Sequence, residues 1–358
     1  MHLPPLVVPI STIDLLSQEM IDNVIDALYE GIDPEALWRF TKQHIYSYPL
    51  VCKTFVSRCQ THLYHEIRFG YLGDCEGSDR AERISKLADI LDQSPHIGKH
   101  VRATFLTLPE HDNTWIYSNL TFLRILPLIT QHLQKLTIDG RMGSFIGDPE
   151  EAAIRFFIPF ISPSISSLFL VLMNTFPLAL LSAFLNLKLL SLKFCGGFDH
   201  SVTPHATTNY PELQLLECSY GYDCLQALLP RGQWSPATPV DLTALKIIKM
   251  YPRTESDIRI TGQLVRAASS SLEEVFILRD EVTDWAPLDT GALSFNQTPR
   301  LKFIQLQFEL QDPSTSKNGL LGIFTGEEQT RIAGMMRIGG HLAAKLKELQ
   351  VGAGARNL

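Results

Sequence analysis

Few residues in this chain have the types and spacing that metal-binding or catalytic chemistry requires. His62 and His65 lie three positions apart beside Glu66, and two such imidazoles on one helix face are able to ligate zinc. The order of histidines and acid is the reverse of the zincin motifs, and no third ligand is near in the sequence. Gly352-Ala353-Gly354 is half of a nucleotide-binding fingerprint with no helical pattern after it. We interpret the first segment as a polar helix face and the second as coincidence.

The sequence also gives little indication of a catalytic nucleophile. The chain contains no G-x-S-x-G elbow, no G-x-x-x-x-G-K-[ST] loop and no H-E-x-x-H helix. Cys52 belongs to an apolar helical stripe, where cysteines are usually buried and inert. The sequence therefore predicts no catalytic residue, no metal ligand and no cofactor, and we expect a protein that is not an enzyme. A hydrolase with an unrecognised motif is kept as an alternative.

Composition limits the classes of protein to consider. The 358 residues are 45% hydrophobic and 19% charged, which is enough apolar side chain to fill a core and excludes global disorder. The net charge of −7 argues against nucleic acid as a partner, because phosphates require a basic face. Six cysteines without a C-x-x-C pair predict neither a disulfide scaffold nor a zinc ribbon.

One uncharged stretch, residues 156–187, bears on the compartment. Its segment 165–185 is apolar enough to suggest a membrane anchor, and that is an alternative interpretation. Asn174 and Pro177 interrupt the segment, and its leucines share the phase of a repeat found elsewhere in the chain. The N-terminus lacks the features of a secretory signal. We therefore expect no membrane partner and a cytoplasmic or nuclear protein.

The N-terminal region has the periodicity of three helices. The first has a stripe of apolar residues at helical spacing, and polar residues line its other side. The stripe consists of Leu16, Met20, Ile21, Val24, Ile25 and Leu28. Asp33-Pro34-Glu35 starts a second helix with a capping residue and a proline at its first position. A third helix begins near Pro49 and carries an apolar stripe through Leu63.

The order of these elements resembles an F-box. Residues 16–25, Leu-Ser-Gln-Glu-Met-Ile-Asp-Asn-Val-Ile, are similar to its L-P-x-E-[LI]-[LI]-x-x-I motif, and residues 50–55, Leu-Val-Cys-Lys-Thr-Phe, are similar to its V-C-[KR]-x-[FW] element. Residues 63–67 resemble the segment that follows the box in fungal members. The resemblance covers about residues 10–70. It departs from the family at Ser17, where proline is usual, and at Pro49.

The resemblance implies a partner. F-box domains dock on a Skp-type adaptor and, through it, on a cullin of a ubiquitin ligase. The positions that match the motif imply an adaptor-binding set of Leu16, Ser17, Met20, Ile21, Val24, Leu50, Val51 and Phe55. The competing interpretation is that the same side chains form only an internal helical core.

From residue 97 the chain repeats an aliphatic pattern, L-x-x-L-x-L. The copies are Leu133/Leu136/Ile138, Ile165/Leu168/Leu170, Leu187/Leu190/Leu192, Leu213/Leu216/Cys218, Leu245/Ile248/Met250, Leu272/Val275/Ile277, Leu301/Ile304/Leu306 and Leu346/Leu349/Val351. The third copy continues to Cys195 and completes the leucine-rich-repeat signature. An earlier strand is expected at Val101 to Leu108. The copies are 22 to 45 residues apart, which indicates an irregular array with connections of variable length.

Alternation along each strand assigns the residues between the aliphatic positions to the opposite face of a curved parallel sheet. We predict that this face binds a client protein, as repeat arrays commonly do. The candidate client-binding residues are Thr137, Asp139, Ser191, Lys193, Glu217, Ser219, Lys249, Tyr251, Gln305 and Gln307. A face that binds nothing specific is the other interpretation.

Together the patterns predict an α/β protein with an N-terminal three-helix F-box-like module at 10–70, a helical connection at 71–96 and an irregular leucine-rich-repeat-like solenoid at 97–358. The expected function is that of a non-catalytic subunit that recruits an unidentified client to a cullin-type ubiquitin ligase. The alternatives are the membrane anchor at 165–185 and a repeat scaffold outside any ligase.

Overall fold

The computed structural model describes residues 17–30, 53–70, 77–108, 114–143, 145, 148–199, 210–229, 240–278, 293, 295, 297–308 and 320–324. The predicted second helix and the last aliphatic triplet, with Leu16, Leu50 and Val51, lie outside these residues.

Twelve strands are formed by the described residues. They are β1 (Glu66–Phe69), β2 (Ala103–Thr107), β3 (Lys135–Asp139), β4 (Ser167–Val171), β5 (Thr175–Pro177), β6 (Leu189–Lys193), β7 (Gly197–Asp199), β8 (Leu215–Ser219), β9 (Ile247–Tyr251), β10 (Glu274–Ile277), β11 (Phe303–Phe308) and β12 (Leu320–Phe324). Ten of them make one sheet in the order β1-β2-β3-β4-β6-β8-β9-β10-β11-β12. The first nine are parallel, and β12 pairs antiparallel with β11. Strands β5 and β7 form a separate parallel pair.

Helices and helical turns connect the strands. They are α1 (Gln18–Glu30), α2 (Lys53–Leu63), α3 (Gly77–Gln93), α4 (Trp115–Ser118), α5 (Leu120–Ile129), α6 (Pro149–Ala152), α7 (Leu178–Leu181), α8 (Tyr222–Leu228) and α9 (Glu255–Ala267). Two 3₁₀ turns cover Pro95–His100 and Thr130–His132, and a π-helix, Ala153–Ile161, continues α6. Helix α9 starts with a reciprocal capping box between Thr254 and Asp257. The predicted helical connection at 71–96 contains α3.

The parallel sheet confirms the strands that the aliphatic triplets predicted. The second and third positions of seven triplets fall in β3, β4, β6, β8, β9, β10 and β11, and the register aligns them in two rows across the sheet. In one row, Leu136, Leu168, Leu190, Leu216 and Ile248 are each 0% exposed. These strands therefore bury their aliphatic side against the helical layer.

The sheet begins earlier than the aliphatic pattern indicated. Strand β1 pairs with β2 in the register Ile67↔Thr104, although residues 66–69 fall within the predicted helical module. Its sequence, Glu-Ile-Arg-Phe, has only two apolar positions, and Ile67 is half-buried, so no triplet announces it. The chain thus leaves α2 and enters the sheet after two residues.

Aromatic side chains fill the core between the first half of the sheet and its helices. Phe122 of α5 contacts Phe69 edge-on at a centroid distance of 4.9 Å, Trp115 at 5.0 Å and Phe156 at 5.8 Å. Phe156 and its neighbour Phe157 are fully buried on the π-helix.

The uncharged stretch that suggested a membrane anchor contributes to this core. Residues 165–185 include β4, β5 and α7, and Leu168, Leu180 and Leu181 are each at most 1% exposed. Among the residues that the structure describes, no helix has the length and apolarity needed to cross a membrane.

Helices α1 and α2 form a separate small cluster. Ile21 and Ile25 of α1 are each 3% exposed and pack on Cys59 of α2, with Phe55 and Leu63 at its border. Helix α2 is joined to the sheet, because Tyr64 and Ile67, just after it, pack on the main core. Thr61 Oγ1 also lies 3.2 Å from His100 Nδ1 in the first 3₁₀ turn.

Candidate interaction surfaces

Helix α1 leaves part of its apolar stripe in water. Met20 and Val24 are 55% and 56% exposed, whereas Ile21 and Ile25 are buried against α2. Residues four apart lie on one side of a helix, so Met20 and Val24 form an exposed apolar ridge. Ser17 precedes the helix, and its hydroxyl accepts a hydrogen bond from the Met20 amide at 3.3 Å. A serine at this position therefore caps the helix that a proline would only initiate.

A charged network holds the orientation of this ridge. Arg58 of α2 donates through Nε to Asp26 Oδ1 at 2.6 Å and through a second nitrogen to Asp26 Oδ2. His62 Nε2 lies 2.8 Å from Asp26 Oδ1. The hydrogen bonds from Arg58, with the contribution of His62, lower the pKa of Asp26 from 3.8 to about 2. His62, the first histidine of the weak zinc motif, thus has a structural partner on α1.

Three members of the predicted adaptor-binding set, Leu16, Leu50 and Val51, lie outside the described residues. The others divide between two environments. Met20, Val24 and Ser17 are exposed, while Ile21 is buried and Phe55 is partly buried in the helix pair. The docking interpretation therefore fits the exposed residues of the stripe, and the internal-core interpretation fits the buried ones.

The outer face of the sheet carries the predicted client-binding residues in two rows. The register links Thr137, Phe169, Ser191, Glu217, Lys249, Phe276 and Gln305 in one row. The next row contains Asp139, Val171, Lys193, Ser219 and Tyr251. Gln307 pairs with Leu321 of β12, and its side chain lies outside the described part of the chain. The strand alternation therefore placed these positions on one face, as expected.

Two of these residues are covered by their neighbours. Ser191 is 0% exposed and Thr137 is 8% exposed, although both lie on the outer rows. The Ser191 hydroxyl donates to Glu217 Oε2 at 2.8 Å, and the larger side chains on adjacent strands close over it. Small residues in a parallel sheet are masked in this way because neighbouring strands are only about 4.8 Å apart. Neither residue is available to a partner, which corrects the expectation for both.

Charged residues on this face are held by pairs and by aromatic rings. Lys193 Nζ lies 3.6 Å from Glu217 Oε1, and Arg68 Nε lies 2.5 Å from Glu66 Oε1. The Lys135 ammonium lies 4.6 Å from the Phe169 ring centroid, and the Lys249 ammonium lies 5.4 Å from that of Phe276.

Arg68 and Phe169 were missing from the predicted client-binding set. Both occupy outer positions of strands with the same alternation as the predicted residues. For Phe169, which lies in a strand predicted by a triplet, that alternation was the signal that could have found it, whereas β1 has no triplet to indicate Arg68.

The carboxyl ends of the strands form an edge of unusual backbone conformation. Leu172, Phe194 and Tyr220 each directly follow a strand, with φ of 51°, 56° and 58°. Large non-glycine residues rarely adopt this left-handed region. The rings of Phe194 and Tyr220 stack at 4.4 Å with an interplanar angle of 9°, and the Arg253 guanidinium lies 3.2 Å from the Tyr220 centroid. Phe194 is 45% exposed, so this edge presents an aromatic ring to solvent.

Three of the buried cysteines, Cys59, Cys218 and Cys224, have a raised thiol pKa, which disfavours the nucleophilic thiolate. Cys218 occupies its triplet position in the core at 0% exposure, and burial raises the pKa of its thiol. Cys224 is 1% exposed on α8. Burial also raises the pKa of Cys59 in the helix pair. Within the described ranges no group of three or more histidine, cysteine or acidic side chains is arranged to hold a metal ion.

Comparison of the chain with models of known families, with curated proteins and with solved structures finds no match. The two surfaces must therefore be interpreted from their own chemistry.

Proposed function

We propose that this protein recruits a client to a cullin-type ubiquitin ligase and carries no catalytic group of its own. The N-terminal helices dock a Skp-type adaptor through the Met20–Val24 ridge, and the outer face of the sheet binds the client protein.

The exposed ridge on α1 is the observation that carries this proposal. Burying a side chain the size of methionine or valine contributes roughly 1.5–3 kcal/mol. Covering the two exposed side chains would therefore contribute a sizeable favourable free energy to binding. The helix cannot turn to bury them, because the contacts of Asp26 with Arg58 and His62 fix its orientation on α2. A partner helix or groove that covers Met20 and Val24 recovers that free energy. The F-box resemblance names a Skp-type adaptor as this partner.

The outer face supports the second half of the proposal. It combines half-buried aromatic rings, paired charges and hydroxyls, which is the mixture that protein interfaces use. The face spans nine parallel strands, so it is large enough to bind a folded protein or an extended segment.

Adaptor capture tests the proposal directly. The purified chain is mixed with a recombinant Skp-type adaptor, and the dissociation constant is measured. We expect the M20D/V24D variant to bind at least tenfold more weakly, because two buried carboxylates are costly at an apolar interface. The control is L120D, which places one aspartate on an apolar side chain of α5 that is 75% exposed.

Binding by the wild type and by L120D, with loss in M20D/V24D, supports docking through α1. If the wild type fails to bind the adaptor, or if all three proteins bind equally, the proposal is wrong. Client binding without adaptor binding would instead favour the repeat scaffold outside any ligase. The anchor alternative loses its main support, because the apolar side chains at 165–185 that suggested it pack in the core.

A further inference from the structure

The amino ends of the strands form a second, chemically distinct edge. The residue before each strand hydrogen-bonds through its backbone to its equivalent on the next strand. For example, Gln134 N donates to Arg102 O at 2.8 Å, and Lys302 N donates to Glu273 O at 2.8 Å. The row continues across eight strands and consists of Arg102, Gln134, Ser166, Lys188, Gln214, Lys246, Glu273 and Lys302. We call these residues the basic edge.

The basic edge is positive in a chain whose net charge is −7. It contains four cations and one carboxylate, Glu273, and that carboxylate is crowded by cations. The hydrogen bond from Lys302 lowers the pKa of Glu273, and the charges of Lys246 and Arg300 lower it further. Near the edge, Lys99 and Arg300 are exposed cations, while Glu212 and Asp241 are acidic residues that precede β8 and β9. The net charge of the region, with these residues included, remains positive.

Two cations at the middle of this edge are open to solvent. Lys188 and Lys246 are exposed, and no described residue forms an ion pair with either. The cations of the outer face contrast with them. Arg68 and Lys193 have carboxylate partners there, and Lys135 and Lys249 cover aromatic rings. Lys188 and Lys246 are therefore available to a negatively charged ligand.

An aliphatic strip adjoins these lysines. The first residues of β6, β8 and β9 are Leu189, Leu215 and Ile247, which the register places side by side on the outer face. All three are half-buried, so each keeps apolar surface in water. A partner that fits this region must supply both negative charge and apolar side chains.

We propose that the basic edge and the adjoining aliphatic strip bind an acidic polypeptide segment with bulky apolar side chains between its carboxylates. This inference rests on the proposed function, because it names the kind of client segment that the sheet recruits. Lys188 and Lys246 lie two strands apart in the sheet order, a spacing of roughly 10 Å, whereas Lys302 is already paired with Glu273. Three residues of an extended chain span about the same distance, so carboxylates three positions apart match the two lysines.

Nucleic acid fits this region less well than a peptide. Aliphatic side chains offer bases no stacking surface, and the negative net charge repels a long polyanion. A short acidic segment meets only the local positive charge, within a Debye length of about 8 Å at physiological salt.

Peptide binding by fluorescence anisotropy tests the inference on the full chain. The probe is a labelled peptide of about fifteen residues with aspartate or glutamate at every third position and leucine or phenylalanine between, matched to the strand spacing above. A second peptide replaces the acids with asparagine and glutamine, and a third probe is a single-stranded oligonucleotide of equal charge. We expect the acidic peptide to bind more tightly than both, and its binding to weaken at high salt.

Charge reversal locates the site. K188E/K246E should weaken acidic-peptide binding at least tenfold, because it replaces attraction by repulsion at both matched positions. K86E/R259E, which reverses two cations on α3 and α9 with 69% and 61% side-chain exposure, should change it less than twofold.

Equal binding of the acidic and amide peptides, tighter binding of the oligonucleotide, or equal loss in both double variants would overturn the inference. The adaptor takes no part in this assay. A failure here therefore leaves adaptor docking untouched, and a failure of docking leaves this result valid.

Discussion

Gly98 lies so close to helix α5 that a larger residue cannot be accommodated. A Cβ atom at this position would be 2.2 Å from the Leu128 carbonyl oxygen, well inside van der Waals contact. The obstacle is backbone, so relief requires the 3₁₀ turn to move away from the helix. Gly197 in β7 is the opposite case, because a Cβ atom added there would have no neighbour within 4 Å.

The pair gives a prediction at the residue scale. Gly98→Ala should lower the free energy of unfolding by about 1–3 kcal/mol, the usual cost of overpacking. Gly197→Ala should change it by less than about 0.5 kcal/mol. Urea denaturation followed by circular dichroism measures both, and equal effects of the two substitutions would contradict the close approach at Gly98.

The backbone conformation of some residues could not be predicted from the sequence. Left-handed turns normally show glycine or asparagine, but here the positions after β4, β6 and β8 are Leu172, Phe194 and Tyr220. The first two are held by hydrogen bonds to the last residue of the next strand, Leu172 N to Lys193 O at 2.8 Å and Phe194 N to Ser219 O at 2.7 Å. Local propensity cannot anticipate a conformation that the neighbouring strand imposes. The burial of Ser191 escaped prediction for the same reason.

At the scale of elements, one carboxylate adds a polar contact to the apolar cluster that pairs α1 with α2. Asp26 joins Arg58 and His62 across the two helices, and its side chain is 26% exposed. Helical periodicity predicted α1, but a stripe of six apolar residues does not say which of its sides another helix covers. The structure buries Ile21 and Ile25 and leaves the Met20–Val24 ridge exposed.

This carboxylate makes the helix pair sensitive to acid. The pKa of Asp26 falls from 3.8 to about 2 on folding, so its contribution is complete well above pH 4 and is lost as the pH falls from about 4 to about 2. Asp26→Asn should destabilise the helix pair by about 1–2 kcal/mol at pH 7 and flatten this acid transition. Methyl NMR signals of Ile21 and Ile25 report the pairing. The control, Asp89→Asn on an exposed site of α3, should leave both signals and their pH dependence unchanged.

At the scale of the whole molecule, the sheet is held together by contacts between adjacent strands. Each parallel strand bonds only to the strands beside it, in the continuous order from β1 to β11. The aliphatic triplets predicted this well because burial on one face demands a strict alternation. The π-helix and the β5–β7 pair lie in connections of variable length. These connections have no recurring residue pattern from which their structure could be predicted.

A cavity in a central strand should therefore destabilise the adjacent strands more than the distant ones. Leu190→Ala in β6 should lower the free energy of unfolding by about 2–5 kcal/mol, since Leu190 is 0% exposed. Hydrogen exchange should increase most in the adjoining strands β4 and β8 and least in β1. Leu185→Ala, at a side chain that is 52% exposed, provides the control. A uniform increase along the sheet would contradict the nearest-neighbour description.

The reversal of β12 has an evolutionary consequence. A strand with its connection, inserted between two parallel strands, finds partners of matching direction on both sides and widens the sheet without disturbing it. A copy added beyond β12 meets a strand of opposite direction, so it cannot extend the parallel ladder. We therefore expect a sheet of this kind to gain strands within its parallel part rather than beyond the reversed strand.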